Sequence, residues 1–219
     1  MSLFAFGPAC SSEAEEAQTE DTGVEMAAEK KPMMENRTAQ VGEMAPNFVL
    51  TNTEGNQHAL ADFEGKYVIL EWINFDCPFV KKHYSSGNMQ ELQQTYKDEG
   101  AVWLTICSSA PGKQGYFEGE ALKSRMEKEK WNGTAYLIDE SGNVGMMYQA
   151  KTTPHMYIIN PEGMLVYAGA IDDKPSTNVN DIPESTNYVK QAMSASMAGE
   201  EVPVKTSVAY GCSVKYAKK

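Results

Sequence analysis

The stretch KYVILEWINFDCPFVKKHY, residues 66–84, decides the fold. Its first half is a nearly continuous apolar run rich in β-branched and aromatic residues. That is the pattern of a strand buried on both faces of a parallel sheet. The second half opens on Cys77-Pro78 and turns polar, with Phe79, Val80, His83 and Tyr84 set beside two lysines. Proline suits the first position of a helix, where its missing N–H has no partner and its φ is already helical. The stretch therefore predicts a strand handing over to a helix, with Cys77 at or beside the cap. Reactive groups and ligands collect at the carboxyl ends of strands in open α/β sheets. Three readings of Cys77 stand at this point: a reactive thiol, a metal ligand, or a small buried side chain.

Outward from this junction, the chain alternates. Upstream, Phe48–Thr51 reads as a short strand, followed by a Glu54-Gly55 turn and a second edge segment. Downstream, residues 78–98 read as helix broken at Ser85-Ser86-Gly87 and resuming at Asn88. AVWLTICSS (101–109) is a second buried strand, EALKSRMEKEKW (120–131) a polar helix and TAYLIDESG (134–142) a third strand with its turn. HMYIINPEGMLVYAGAID (155–172) is a hairpin turning at Asn160-Pro161-Glu162-Gly163, and a last helix covers 186–198. The alternating half implies parallel strands with helices on both sheet faces, and the hairpin adds antiparallel strands. The expected class is α/β, a central mixed sheet flanked by helices with an N-terminal β extension.

Composition narrows the function. Of 219 residues, 42% are hydrophobic and 22% charged, an ordinary globular balance. A net charge of -11 argues against nucleic-acid binding, which needs clustered Lys and Arg. Four cysteines are too few for a disulfide scaffold. LFAFGPAC (3–10) is similar to the end of a bacterial lipoprotein signal, with Cys10 as a candidate lipid-anchor position and an acidic tether after it. The expected location is exported, periplasmic or anchored at a membrane; the alternative is a cytoplasmic protein with an incidental Cys10 in a disordered leader. The expected layout is leader and acidic linker over 1–38, a folded domain over 39–199, and a tail over 200–219 that carries Cys212.

At a helix N-terminus, unpaired backbone N–H groups and the positive end of the dipole favour thiolate over thiol. Lys81, at i+4, lies on the same helix side and would add positive charge, whereas His83 at i+6 does not share that face. A reactive thiol is the favoured reading of Cys77, with the small buried side chain as its alternative.

VILEWINFDCPFV resembles the strand and active-site helix of the thioredoxin superfamily, and TTPHMYIINPEGMLVYAGAID is similar to that superfamily's T-P-x-x-[FY]-x-[IV]-[DN]-x-x-G segment. GEMAPNFVLTNTEG and LADFEGKYVIL resemble the opening of peroxiredoxins and related redoxins, and NFDCPFVKKHY and VAYGCSVKY are similar, more narrowly, to the peroxiredoxin-like group of the alkyl hydroperoxide reductase/thiol-specific antioxidant family. The resemblance spans about residues 41–198. It implies a thioredoxin-like fold, a cis Thr153-Pro154 bond against the active-site cysteine, and His155 near Cys77 as a base or hydrogen-bond donor. It implies an antioxidant or thiol-dependent oxidoreductase.

The departures are equally informative. Val80 stands where C-x-x-C has its second cysteine, so no local disulfide forms. The peroxiredoxin P-x-x-x-T-x-x-C would need Pro and Thr where this chain has Leu70 and Asn74, and Arg37 and Arg125 are the only arginines. Peroxidase activity therefore lacks its usual residues. A lone cysteine needs a resolving thiol from elsewhere. Cys212 is the leading internal candidate, while Cys107 reads as core. A metal set of Cys77, His155 and Cys212 lacks compact ligand spacing, and residues 171–181 lack the Gly and Glu of a calcium loop, so no metal or cofactor is expected. The expected partners are a thiol reductant, a disulfide-bearing protein or a hydroperoxide. The rival reading is a catalytically weak thioredoxin-like module that holds a partner protein.

Overall fold

A computed structural model describes residues 37–217. Cys10 and most of the leader lie outside the described residues. The elements are β1 Val49–Asn52, β2 Gln57–Ala59, β3 Val68–Trp72, α1 Pro78–Ser85, α2 Asn88–Asp98, β4 Val102–Cys107, α3 Gly119–Lys128 and β5 Ala135–Ile138. There follow α4 Asn143–Met147, β6 Thr152–Thr153, β7 His155–Ile159, β8 Leu165–Gly169, α5 Tyr188–Met197 and β9 Cys212–Ser213. The break expected between the first two helices falls at Ser86-Gly87, where Gly87 takes φ 81°, a left-handed conformation open to glycine at little cost.

Seven strands form one mixed sheet in the order β2-β1-β5-β4-β3-β7-β8. β3 pairs parallel with β4, and β4 with β5. β7 runs antiparallel to β3 on its other side, and the β1–β2 hairpin extends the far edge through β5. All five residues of β3 are buried, which explains its unbroken apolar run.

Strand alternation then sorts the core. Ile69 and Ile73 pack with Val80 and Tyr84 of α1, Leu92 of α2, Leu122 of α3 and Met193 of α5. Val68, Leu70 and Trp72 face the other way, onto Val144 and Met147 of α4 and Phe48. Burying each such large apolar side chain contributes about 1.5–3 kcal/mol.

One charged residue interrupts the strand. Glu71 has the parity of Ile69 and Ile73 and is fully buried. It accepts hydrogen bonds from Trp103 Nε1 (2.8 Å), Tyr84 Oη (3.0 Å), Gln93 Nε2 (3.2 Å) and Thr105 Oγ1 (3.2 Å). Burial pushes its carboxyl up to about 7, against the pull of those donors. This one carboxylate ties β3, α1, α2 and β4 together behind Cys77.

Two features depart from the sequence expectation. The helix α4 and the two-stranded β6–β9 ladder are too short to leave a periodic signature. The acidic segment after β8, whose composition gives no sign of burial, begins on a buried residue, Asp172. Lys82 Nζ reaches it at 3.2 Å, and an ion pair with both side chains buried is what allows a carboxylate there.

Candidate active site

Cys77 is the N-cap of α1, with Pro78 at the first helical position. Its own N–H donates to Asn74 O (2.9 Å), closing the turn out of β3, and its C=O accepts from Lys81 N (2.9 Å). The side chain is buried, and its Sγ donates to Thr153 O at 3.1 Å. The Thr153–Pro154 peptide is cis in the structure. Burial pushes the Cys77 thiol up. Hydrogen bonds from the Cys212 side chain, the Cys212 and Val80 N–H groups and Thr153 outweigh it and hold the thiol below its ordinary value.

The tail completes the site. Cys212 N lies 3.4 Å from Cys77 Sγ. β9 pairs antiparallel with β6, placing Cys212 opposite Thr153 and Ser213 opposite Thr152. Gly211 comes so close to Thr153 that a Cβ would overlap the Thr153 carbonyl oxygen, and its φ is +138°. Both sulfurs are free thiols in this structure. Burial, the hydrogen bond to Cys77 and the negative charge on Cys77 all push the Cys212 thiol up. The two thiols are thus shifted in opposite directions, Cys77 down and Cys212 up.

The strap that carries Cys212 is fastened along its length. Ala168 N donates to Lys205 O (3.1 Å), and Ala170 N to Ser207 Oγ (2.9 Å). Beyond Cys212, Ala110 N donates to Lys215 O (2.9 Å), while Tyr216 Oη donates to Ala150 O (2.7 Å).

Of the residues singled out from the sequence, the structure brings Cys77, Thr153, Pro154 and Cys212 together. Lys81 is exposed, and the groups that lower the Cys77 thiol do not include it. The adjacent Lys82 is the one turned inward, to Asp172. His155 belongs to the opposite sheet face from the one that packs with Cys77: it shares the parity of Tyr157 and Ile159, whereas Met156 and Ile158 join the Cys77 cluster. Its Nδ1 sits 3.1 Å from Tyr157 Oη, and burial lowers the ring to about 4. Cys107 is buried core, with its thiol raised by burial and its Sγ on Gly115 O at 3.4 Å.

Sequence reasoning set Arg125 aside as a residue of a polar helix. Its guanidinium braces the turn before Cys77, donating to Asp76 Oδ1 (2.8 Å) and Phe75 O (2.7 Å) while pairing with Glu129 (2.9 Å). Its rarity in the chain was the only available signal. Glu71 was more legible, as a lone acid inside a strand-length apolar run.

Residues 41–168 match the model of the AhpC/TSA family. The chain belongs to that family. Its fold is the thioredoxin-like one that accompanies this membership. Among the family's relatives, the thiol-disulfide oxidoreductase ResA of Halalkalibacterium halodurans is 28% identical over 128 residues, covering 58% of this chain and 67% of that protein. An uncharacterized conserved protein from Geobacillus kaustophilus superposes with a TM-score of 0.70 at 28% identity, over 85% of this chain and 97% of that one. A hypothetical protein from Sinorhizobium meliloti 1021 shares the fold, with a TM-score of 0.67 at 23% identity over 85% of this chain and all of that one. Among the described residues, no three His, Cys, Asp or Glu side chains gather into a group able to hold a metal ion.

Proposed function

We propose that the protein is a thiol-disulfide oxidoreductase in which Cys77 is the nucleophile and Cys212 the resolving thiol. The observation that carries this reading is the meeting of Cys212 and Cys77 Sγ across the β6–β9 ladder. The Cys77 thiolate attacks one sulfur of a disulfide-bearing protein, forming a mixed disulfide and releasing a thiolate. Cys77 then carries no charge, which removes one of the causes that raise the Cys212 thiol. Cys212 loses its proton and attacks Cys77 Sγ, giving a Cys77–Cys212 disulfide and freeing the substrate's second thiol. The substrate gains two electrons and the cysteine pair loses two; an external thiol reductant restores the dithiol. The relative named a thiol-disulfide oxidoreductase supports the same reaction class.

A disulfide is the better substrate than a hydroperoxide. The guanidinium of Arg125 is committed to Asp76, Phe75 O and Glu129. Asn74, standing where peroxiredoxins have Thr, is held by Gln114 O (3.3 Å) and by Asp76 N (2.9 Å). A pure binding module would have no use for a lowered Cys77 thiol. In this reading, residues 39–199 form the redox domain and residues 200–219 supply its second cysteine. The acidic leader after Cys10 would tether the domain outside the cytoplasm, where oxidised protein substrates persist.

Oxidation by a disulfide substrate followed by non-reducing peptide mass spectrometry tests this. A Cys77–Cys212 peptide is expected, together with a Cys77 alkylation midpoint below that of a free cysteine. No linked peptide, with a midpoint at or above the free value, would overturn the mechanism.

A further inference from the structure

Asp172 lies just past β8 and touches the segments that carry both sulfurs. Lys82, five residues after Cys77 on α1, places Nζ 3.2 Å from Asp172 Oδ2 and 2.9 Å from Lys174 O. Tyr210, two residues before Cys212, donates its hydroxyl to Asp172 Oδ1. Lys174 N donates to the same oxygen at 3.0 Å, and His83 Nε2 lies 3.8 Å from Oδ2. The aromatic surfaces repeat the pattern. The Tyr210 ring meets Phe79, two residues after Cys77, edge to face at 5.7 Å, and Lys82 Nζ lies 5.8 Å over the same ring. Lys82 and Asp172 are both buried, so neither side chain finds water as a substitute partner.

We propose that Asp172 is a positioning residue for the Cys77–Cys212 pair, holding the Cys77 helix through Lys82 and the Cys212 strap through Tyr210. This rests on the disulfide-exchange reading of the site and adds what sets the distance between its two sulfurs. The β6–β9 ladder is only two residues long on each side, too short to fix the strap alone. Before Cys212 the strap is also bonded at Lys205 and Ser207, and the side-chain anchor nearest the cysteine is Tyr210 on the carboxylate. Loosening it lowers the effective concentration of Cys212 at Cys77 without removing any atom of either cysteine.

The experiment uses the full chain and the substitution Tyr210→Phe, which removes one hydroxyl and keeps the ring on Phe79. The reduced protein is equilibrated with glutathione disulfide, giving protein disulfide and two glutathione thiols. Tyr210→Phe should lower that equilibrium constant about tenfold, as expected for losing a hydrogen bond to a charged group. Asp172→Asn should lower it at least as far, and the double variant no further than Asp172→Asn alone, because both act through one contact. Asp172→Asn leaves Lys82 buried without its counter-charge and endangers the fold, so Tyr210→Phe decides the matter. An equilibrium constant within twofold of the wild type would overturn the proposal. If the wild type forms no internal disulfide, the exchange reading fails first, and the positioning claim is then read in a Cys212→Ser background. There Tyr210→Phe should speed alkylation of the buried Cys77 several-fold, and an unchanged rate would sink it.

Discussion

Cys77 and Cys212 meet at one point but are held by opposite means. Cys77 stands on regular structure: β3 inside the sheet between β4 and β7, the Pro78 start of α1, and the Glu71 carboxylate that ties four elements together behind it. Cys212 stands on a strap whose only regular structure is a two-residue strand. Isolated backbone bonds at Lys205, Ser207, Val214 and Lys215 hold that strap, together with Tyr210 on Asp172 before the cysteine and Tyr216 on Ala150 O after it. The comparison teaches what lowers the Cys77 thiol. The helix end contributes the Val80 N–H, but the Cys212 side chain and N–H are the larger causes of the lowered thiol. In the proposed reaction the regular half supplies the nucleophile, and the strapped half lowers its thiol.

Removing the cysteines tests this division most severely. Cys77→Ser should abolish disulfide exchange, a loss of at least about 10³-fold in turnover, of the kind that follows removal of a nucleophile. Cys212→Ser should cost about 10²-fold by removing a thiol held at high effective concentration, and should accumulate a mixed disulfide on Cys77 visible by intact-protein mass spectrometry. Cys212→Ala should in addition shift the pH profile of Cys77 alkylation upward, because the side-chain donor is gone. An unmoved profile would return the activation to the helix end alone.

The sequence showed one half of this site well and the other hardly at all. β3, Pro78 and the break before Asn88 were legible because each rests on a local rule: an apolar run, a fixed φ, a glycine. Thr153 and Pro154 were legible from a motif. Tyr210 and Asp172 are 38 residues apart and Lys82 and Asp172 are 90 apart, so no local pattern links them. The choice of Lys81 over Lys82 followed helix geometry relative to the cap, but packing against Asp172 draws the next residue inward. His155 was misplaced by adjacency. It follows Pro154, yet strand alternation sends its ring to the Tyr157 face.

Stability against pH probes the rigid half. Glu71 has a folded value of about 7 against an ordinary 4.5, so the native state binds the extra proton between those pH values. Stability from this group is therefore full below about pH 4.5 and is lost as pH rises to about 7, roughly 3 kcal/mol in all. His83 and His155, lowered by burial to about 4, act in the opposite direction as pH falls below 6.5. Comparing wild type with Glu71→Gln cancels the histidines: denaturant unfolding should show the wild type losing stability relative to the variant across that window. A constant difference would mean that Glu71 is not what stores the charge behind Cys77.

Gly211→Ala probes the strapped half with a smaller effect. A Cβ there meets the Thr153 carbonyl, and the positive φ is strained for any side chain. The cost should be about 1–3 kcal/mol, taken mostly by lifting the strap. Hydrogen exchange should accelerate over residues 205–216 and leave β3 unchanged, with faster Cys77 alkylation. Equal acceleration in both regions would deny that the strap is a separate unit.

The smallest expected effect is the one that separates the two halves most cleanly. Lys81 sits one helical turn after Cys77, where a helix-side account of the thiolate would place its cation. The side chain is exposed, and charges in water at such positions are worth about 0–1 kcal/mol because solvent and salt screen them. Lys81→Met keeps the length of the stem and removes only the charge. It should move the Cys77 alkylation midpoint by less than about 0.5, and raising the salt should leave even that difference smaller. Cys212→Ala, which changes no formal charge on α1, should move the midpoint further. If Lys81→Met proves the larger of the two, the cation on the helix governs the thiol and the strap merely covers it. If the order holds, the donors that favour the Cys77 thiolate come across the ladder from the tail.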